Sequence, residues 1–520
     1  MSSGVPRISR ASKVPRPPHP IKPTRSLSLA PETREAESAV HAAPARTVLL
    51  KNSLRSIGTS KQPEYNPRAP GYDNRGMKIG FITCVHPYYD LPAVATRREQ
   101  AIAELRNAGF EVVAAVTPRD PDDAVRTAMR LKDGGVDAVL LFICTWVAEP
   151  ITLALARELA DVPMVLWALP FLDRDVPMPS PMSGITSTAS NIRRMGKRFA
   201  WVIGGVEQEV LEQVRDALRA AGVAGALRHA RFGLVGEPCP GMLDVEADEG
   251  ALSKTLGVTA VHCELNALLE SAQTAEPGEL AAAAARLTGC AGGGVEIAPG
   301  VLAENLRLYT GIKQLVREQR LDAYCVRCWP ELRDRLKVTP CVAHALMAQE
   351  GIASTCEVDL PALITAYILS RLAGTPAFNF DITGYLEDRD AIQFGHCGAA
   401  DPTLARACEA VRVRTHMRTG TGATIEFPFR EGAVTLAKLM RPENGKLKLF
   451  AARGVAIAPG VAARGSVAEV RPEPSAAAFL ERMMEEGVEH HIALVYGTWT
   501  HELRQFCNFT GVEYLPVSAS

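Results

Sequence analysis

The stretch Lys78–Val116, "KIGFITCVHPYYDLPAVATRREQAIAELRNAGFEVVAAV", contains a largely apolar run, an amphipathic segment and a second apolar run. The first run, "KIGFITCV", predicts a buried strand. The segment that begins at Ala95 has helical periodicity and stops at Gly109, and "FEVVAAV" predicts the next strand. Strand, helix and strand in this order predict a parallel sheet with helices on both faces, so the fold class is α/β.

The same alternation continues and then restarts further along the chain. It passes through "VDAVLLFIC" and "VPMVLWAL" and begins again at "RFGLVGE", Arg231–Glu237. We therefore predict two doubly wound, Rossmann-like parallel-sheet lobes, over 77–228 and 229–356. From about 415 to 480, short β-rich runs alternate with glycine turns. This pattern predicts an antiparallel β barrel-like subdomain within a C-terminal domain of residues 357–520.

Composition places the chain among globular proteins. It has 520 residues, of which 47% are hydrophobic and 22% charged. Its net charge of -1 gives no electrostatic case for a nucleic acid or an anionic membrane as partner. The apolar stretch "AVLLFICTWVA", Ala138–Ala148, has about half of the roughly 20 residues that a membrane span needs. The twelve scattered cysteines suit a reducing compartment, so we expect a cytoplasmic protein.

The first 76 residues differ from the rest of the chain. They are rich in Pro and Ser and carry 13 Lys and Arg against 5 Asp and Glu. Such a composition predicts a disordered basic extension. A transit peptide and a true start at Met77 are both open interpretations.

The sequence offers no nucleotide-binding signature. The first strand is followed by "HPYYDLP" rather than a glycine-rich turn, and "GCAGGGVEIAPG", Gly289–Gly300, lacks the Lys-Ser/Thr of a phosphate loop. The one CxxC, "CVRC" at Cys325–Cys328, has no second close pair, which favours buried thiols over a zinc ribbon.

The segment "CEVDLPALITAYILSRLAGTPAFNFDI", Cys356–Ile382, places carboxylates on either side of a capped helix. Asp359 as N-cap, Pro361 in the first turn and Gly374 as terminator predict a helix over 360–373. Glu357 would follow one strand, and Asp381 would end another.

These acids and a histidine predict a metal site. His396 closes a third predicted strand, "DAIQFGHCG". Because neighbouring parallel strands lie about 4.8 Å apart and ligands collect at their carboxyl ends, we expect Glu357, Asp381 and His396 to converge there. Two carboxylates and an imidazole suit a divalent cation such as Mn²⁺. For each residue alone, a helix cap or a solvated loop position is the alternative interpretation.

The same residues carry a family resemblance. "CEVD" and "FNFD" resemble the metal-site segment of the L-fucose isomerase family, in which a Glu and an Asp lie twenty-four positions apart, as Glu357 and Asp381 do. Asp359 matches a second acid of that motif. "EHHIALVYGTWTHELRQFCNFTGVEYL" resembles the final segment of the family, and "FGHCG" is similar to the related L-arabinose isomerases.

The resemblance implies a set of site residues. It makes Glu357 and Asp381 both metal ligands and catalytic groups, and it adds His491, beside His490, and His396 to the ligands of Mn²⁺ or another divalent cation. Three further residues are candidates for contact with the sugar: Trp146 in "FICTW", Trp329 in "CWPELRD", and His86, which a neighbouring subunit would supply.

The resemblance also implies an activity. The expected protein is a metal-dependent aldose–ketose isomerase that converts a small fucose- or arabinose-like sugar through an ene-diol, and it assembles as a homo-trimer or homo-hexamer. A non-catalytic two-lobed sugar-binding protein is one alternative, and a metal-dependent epimerase or lyase on the same scaffold is another. The identity of the sugar and that of the metal both stay open.

Overall fold

A computed structural model of the chain describes residues 77–517 except 90–91, 116, 172–177 and 461–463. The basic extension predicted for residues 1–76 lies outside the described residues. Within these ranges, no helix is long and apolar enough to cross a membrane.

The first lobe is a five-stranded parallel sheet in the order β2-β1-β3-β4-β5. Its central strand β3, Ala138–Ile143, is buried along its whole length, as a strand with helices on both faces should be. The other strands are β1 Lys78–Cys84, β2 Glu111–Ala115, β4 Met164–Ala168 and β5 Phe199–Ile203. Its helices are α1 Pro92–Asn107, α2 Pro121–Asp133, α3 Glu149–Glu158, α4 Pro181–Arg194 and α5 Gln208–Leu227.

The second lobe is a four-stranded parallel sheet in the order β7-β6-β8-β9. Its strands are β6 Arg231–Val235, β7 Thr259–Cys263, β8 Ala323–Val326 and β9 Ala353–Cys356. Its helices are α6 Glu249–Leu256, α7 Leu265–Gln273, α8 Pro277–Cys290, α9 Pro299–Gln319 and α10 Cys341–Gln349. The two parallel lobes confirm the predicted fold class.

Helix α11, Leu360–Ala373, has the bounds that the sequence predicts. Asp359 caps it by accepting a hydrogen bond from the amide of Ala362 at 2.7 Å, and Gly374 ends it at φ 65°. All but two residues of the helix are buried, since it packs between β9 on one side and the C-terminal sheet on the other.

The C-terminal strands form a mixed nine-stranded sheet. Pairing of β15 with β16 closes six of the strands into a ring, in which all pairs are antiparallel. The strands are β10 Phe378–Leu386, β11 Ala391–His396, β12 Arg412–Arg414, β13 Thr424–Pro428, β14 Gly432–Leu439, β15 Lys448–Ile457, β16 Ser466–Pro472, β17 His491–Tyr496 and β18 Glu513–Pro516. Two helices belong to this region, α12 Ala476–Glu486 and α13 Thr500–Thr510.

The placement of Asp381 corrects one expectation. The sequence predicted that Asp381 and His396 end strands of the parallel sheet that Glu357 follows. Instead, β10 runs on to Leu386, and both β10 and β11 belong to the antiparallel ring. Only Glu357 lies at the carboxyl end of a parallel strand, β9. The site is therefore built where two different sheets meet.

Candidate metal centre

Glu357 sits in a strained turn between β9 and α11. Glu357 and Val358 have φ values of 69° and 61°, in the left-handed region that β-branched residues rarely adopt. The turn is held at both ends, because the amide of Glu357 donates to the carbonyl of Val326 at 2.9 Å and Asp359 caps the helix. Strain of this kind, of order 1–3 kcal/mol per residue, persists only where the surroundings enforce it and is typical of functional sites.

Asp381 and His491 are direct cross-strand partners on β10 and β17. Side chains of such a pair stand on the same face of the sheet with their Cβ atoms about 5 Å apart. Oδ1 of Asp381 lies 3.4 Å from Nε2 of His491, and Oε2 of Glu357 lies 3.1 Å from the same nitrogen. His491 thus brings the carboxylates of two sheets to one point.

The buried Nε2 of His491 has no hydrogen-bond partner among the described residues. Its other ring nitrogen, Nδ1, is 2.7 Å from Oδ2 of Asp359. A carboxylate on one ring nitrogen that leaves the other facing further carboxylates is the arrangement by which proteins orient a metal-binding histidine. Lys438 supports the carboxylate, since its Nζ lies 3.0 Å from the same Oδ2 of Asp359 and both side chains are buried.

Burial and neighbouring charges have opposite effects on the pKa values of the side chains at this point. Burial alone would raise the pKa of Asp359, but the charges of Lys438 and His491 lower it well below its usual range. The pKa of Asp381 and that of Glu357 are also lowered, against burial, because His491 lies close to both carboxylates. Burial opposes protonation of His491, yet contacts with Asp359, Asp381 and Glu357 raise its pKa well above the usual value. The three buried carboxylates therefore stabilise positive charge at this point, whether on a protonated histidine or on a bound cation.

Two further histidines lie beside this point. His396, at the end of β11, is buried, its ring centroid is 6.4 Å from that of His491, and its Nδ1 has no hydrogen-bond partner among the described residues. His490 points its Nδ1 at Oδ2 of Asp244, 2.5 Å away, and its Nε2 is 3.9 Å from Oδ1 of Asp381.

The donor set fits a divalent cation. Ligand atoms of Asp381, His396 and His491 lie within 4.8 Å of one another, and so do those of Glu357, His490 and His491. Carboxylate oxygens with imidazole nitrogens suit Mn²⁺ and similar ions. We call Glu357, Asp381, His396 and His491 the Glu357 cluster. The structure brings all four predicted ligands together.

A cavity of about 160 Å³ opens onto the Glu357 cluster. Glu357, Asp381 and His396 line it, together with Arg333, Arg418 and His416. Four cysteine side chains also line it: Cys328, Cys341, Cys356 and Cys397. None of the four forms a disulfide, and Cys328 is half-buried, whereas the sequence predicted a buried thiol. Burial, and then the charges of the neighbouring Arg333 and Arg418, lower the pKa of His416 to about 4, so His416 is neutral near pH 7.

The predicted sugar-contacting residues do not line this cavity. His86 and Trp146 follow β1 and β3 in the first lobe, where their rings stack with centroids 5.7 Å apart, and Trp146 is 38% exposed. Trp329 lies under the guanidinium of Arg333, which is 5.3 Å from its ring centroid. The roles of these three residues in binding sugar stay predictions, as does the contribution of a neighbouring subunit.

Sequence reasoning missed several residues around the Glu357 cluster. These residues are Asp244, Arg333, Lys438 and the neighbouring His416 and Arg418, and no local motif links them to the predicted ligands. Lys438 alone carries a signal. It interrupts the apolar run of β14, Gly432–Leu439, and a lysine inside a buried strand requires a buried partner.

Comparison with known proteins identifies related chains. A family profile described as L-fucose isomerase, C-terminal domain, matches residues 396–517, a range that contains His396 and His491. A sulfoquinovose isomerase of Priestia aryabhattai is 27% identical over 391 residues, which cover 74% of this chain and 86% of the relative. One of Clostridium sp. (strain MSTE9) is 29% identical over 367 residues, covering 69% and 81%.

Solved structures add little to this comparison. An ABC transporter periplasmic solute binding protein of Actinobacillus succinogenes 130z with bound D-allose is 12% identical and covers 57% of this chain and 92% of that one. Its TM-score is 0.17. A likeness of that size does not support the alternative of a two-lobed binding protein.

Proposed function

The predicted resemblance to the L-fucose isomerase family is confirmed by these relationships, and on this premise we propose a divalent-metal-dependent aldose–ketose isomerase of sugars. The observation that carries the proposal is the unsatisfied Nε2 of His491, which faces Glu357 at 3.1 Å and Asp381 at 3.4 Å. A resident metal ion is the group that this arrangement suits.

Glu357, Asp381, His491 and His396 would hold the cation. When bound, a divalent cation supplies Lewis-acid polarisation of the sugar oxygens and a template for their orientation. Neighbouring side chains orient the ligand atoms before the cation binds. Asp359 accepts the Nδ1 proton of His491 at 2.7 Å and so keeps Nε2 available, while Lys438 holds Asp359 in place.

The isomerisation requires two proton transfers at carbon, and carboxylates can carry them out. An acceptor removes the proton from C2 of the aldose as a C1–C2 double bond forms and O1 gains a proton. O2 then loses its proton as the C2 carbonyl forms, and C1 receives one, so no oxidant is consumed. Glu357 and Asp381 line the cavity, and their lowered pKa values keep them ionised near pH 7. We assign proton removal and return to this pair.

The substrate that the cavity favours is an anionic sugar. Arg333 and Arg418 line the same cavity as Glu357 and Asp381, and a guanidinium binds a sulfonate or carboxylate through paired hydrogen bonds. The relatives of known activity are sulfoquinovose isomerases, and sulfoquinovose carries a sulfonate. We therefore propose sulfoquinovose or a similar anionic sugar in preference to a neutral fucose- or arabinose-like one.

The proposal also includes an oligomer, in which neighbouring subunits contact each other at the first lobe. Exposed aromatic groups at the carboxyl edge of the first lobe, among them Trp146 at 38% and Tyr88 at 85%, are available for contact with another subunit. We propose that His86 and Trp146 of one subunit cover the cavity of the next in a homo-trimer or homo-hexamer. A strictly monomeric preparation should then be inactive.

Isotope exchange tests the activity. The purified protein with Mn²⁺ is incubated in deuterated water with sulfoquinovose, L-fucose or L-arabinose, with and without a chelator, and followed by NMR. We expect deuterium at the exchanged carbon and ketose product, fastest with sulfoquinovose and abolished by the chelator. Product formation that persists in chelator would refute the metal dependence, and product from the neutral sugars alone would refute the substrate class.

A further inference from the structure

A second group of histidine and carboxylate side chains lies away from the cavity, where α13 packs on α5. Asp216 of α5 faces His501 and Glu502 in the first turn of α13. One ligand atom from each of the three residues lies within 4.8 Å of the other two. We call this group the Asp216 cluster. It shares no residue with the Glu357 cluster.

Glu502 is the member that points to a ligand. It is 5% exposed, and its carboxylate accepts a hydrogen bond from its own backbone amide rather than from a described side chain. Buried carboxylates are normally paired with a positive charge, so one that faces a second carboxylate with only its own amide as donor favours a bound cation or a proton.

The separation of Asp216 and His501 suits shared coordination better than a hydrogen bond. Nδ1 of His501 lies 3.4 Å from Oδ2 of Asp216, whereas a charge-assisted hydrogen bond spans about 2.7–2.9 Å. Two ligands at about 2.0–2.2 Å from a tetrahedral zinc ion lie roughly 3.4 Å apart.

The surroundings leave these donor atoms free. Arg219 approaches the other oxygen of Asp216, Oδ1, at 3.4 Å. Nε2 of His501 has Gln505 at 3.5 Å on its outer side, which helps to fix the ring. The positive end of the α13 dipole and the charges of Arg219 and Arg504 oppose a cation here. Direct coordination by two carboxylates and an imidazole would attract a cation more strongly than the helix dipole and the two arginines repel it, as at many three-ligand zinc sites.

We propose that Asp216, His501 and Glu502 form a second divalent-metal site, suited to Zn²⁺ or Co²⁺, that fastens the C-terminal helix α13 to α5. Helix α5 follows the last strand of the first lobe, and α13 lies between two strands of the C-terminal sheet, β17 and β18. A metal here would join segments almost 300 positions apart in the chain and stabilise their contact. The proposal is independent of the isomerase activity.

Metal stoichiometry provides the test. Full-length wild-type protein and three variants are equilibrated with Zn²⁺, freed of unbound metal and analysed by mass spectrometry. His501→Gln removes one ligand, and Glu502→Gln removes another while keeping its size. His262→Gln is the matched control, because Nε2 of His262 meets a single carboxylate, Glu249, at 2.9 Å on an exposed surface.

We expect His501→Gln and Glu502→Gln each to bind one zinc fewer per chain than the wild type, and His262→Gln to bind the same number. Wild-type stoichiometry in both ligand variants, or an equal loss in the control, would overturn the proposal. Should His501→Gln fail to fold, Glu502→Gln decides.

A thermal readout separates this site from the Glu357 cluster. Zn²⁺ should raise the unfolding temperature of the wild type more than that of Glu502→Gln, because bound metal stabilises only the folded α5–α13 contact. His501→Gln should retain the isomerase turnover of the wild type, since it lies outside the cavity. An equal thermal shift in wild type and Glu502→Gln would contradict the second site.

Discussion

The Glu357 cluster contains two carboxylates and two histidines, and the Asp216 cluster contains two carboxylates and one histidine. Only in the first is a histidine held by a buried network of further side chains. His491 is held by Asp359, and Asp359 by Lys438, within 2.7 and 3.0 Å. His501 has only the amide of Gln505 at 3.5 Å beside it, and no described side chain pairs with Glu502. The difference separates a site prepared for chemistry from one suited to holding a helix.

Burial reinforces the comparison. His491 is 1% exposed, and its side chain lies at the junction of two sheets. His501 is 49% exposed on the first turn of a helix. Rigid strands on both sides fix the ligands of the first cluster, whereas the second depends on the packing of one helix against another. Precise positioning matters for proton transfer and much less for a structural ion.

The largest effect should follow from loss of a carboxylate in the Glu357 cluster. Asp381→Asn removes a residue that we propose both as a metal ligand and as a proton-transfer group, so turnover should fall about a thousandfold or more while the far-ultraviolet circular dichroism is unchanged. Asp388→Asn, on an exposed turn seven positions later, is the control and should keep full activity. Turnover near the wild-type value in Asp381→Asn would remove this residue from the site.

Loss of the supporting lysine should appear in stability. Lys438→Met leaves Asp359 buried without its ammonium partner, and the free energy of unfolding should fall by about 3 kcal/mol. Urea denaturation measures it. Lys446→Met, at an exposed turn of the same region, should change the unfolding free energy by less than about 0.5 kcal/mol. Equal stability of the two variants would mean that the buried pair gives no support.

A change at Asp359 tests the support of His491 directly. Asn retains the helix cap, which Asp359 makes through Oδ1, but it removes the charge next to Nδ1 of His491. Asp359→Asn should therefore weaken Mn²⁺ affinity about 10–100-fold, as measured by calorimetry. Asp120→Asn makes the same change at the cap of α2, where no histidine is present, and should leave Mn²⁺ affinity unaltered.

The smallest effect concerns the second cluster. At pH 8 without metal, Glu502→Gln removes a buried charge that faces Asp216, so the unfolding free energy should rise by about 1 kcal/mol. Glu481→Gln, an exposed position on α12, should have no measurable effect. Destabilisation by Glu502→Gln would show that the carboxylate has a partner in the folded protein.

The capped helix shows what local sequence signals determine. Asp359, Pro361 and Gly374 each act within one turn of the chain, and together they predicted α11 to the residue. The parallel lobes followed in the same way from strand and helix periodicity. These signals depend on neighbours in sequence, so one chain is enough to detect them.

The residues of the site are brought together by the pairing of distant strands, which local sequence patterns do not predict. Asp381 meets His491 across strands more than 100 positions apart, and the antiparallel partner of β10 could not be inferred from its short apolar run. The left-handed turn at Glu357 and Val358 contains no glycine, so the sequence did not predict it. The four ligands came from the family resemblance and from motif spacing, while Asp244 and Lys438 emerged only from the packed structure.

The central claim is that Glu357, Asp381 and His491 hold a catalytic divalent cation. Crystals grown with Mn²⁺ test it most directly through anomalous scattering at the manganese edge. We expect a strong anomalous peak within coordinating distance of Nε2 of His491 and of the carboxylates of Glu357 and Asp381. A manganese peak only elsewhere, or no peak at full Mn²⁺ saturation, would contradict it.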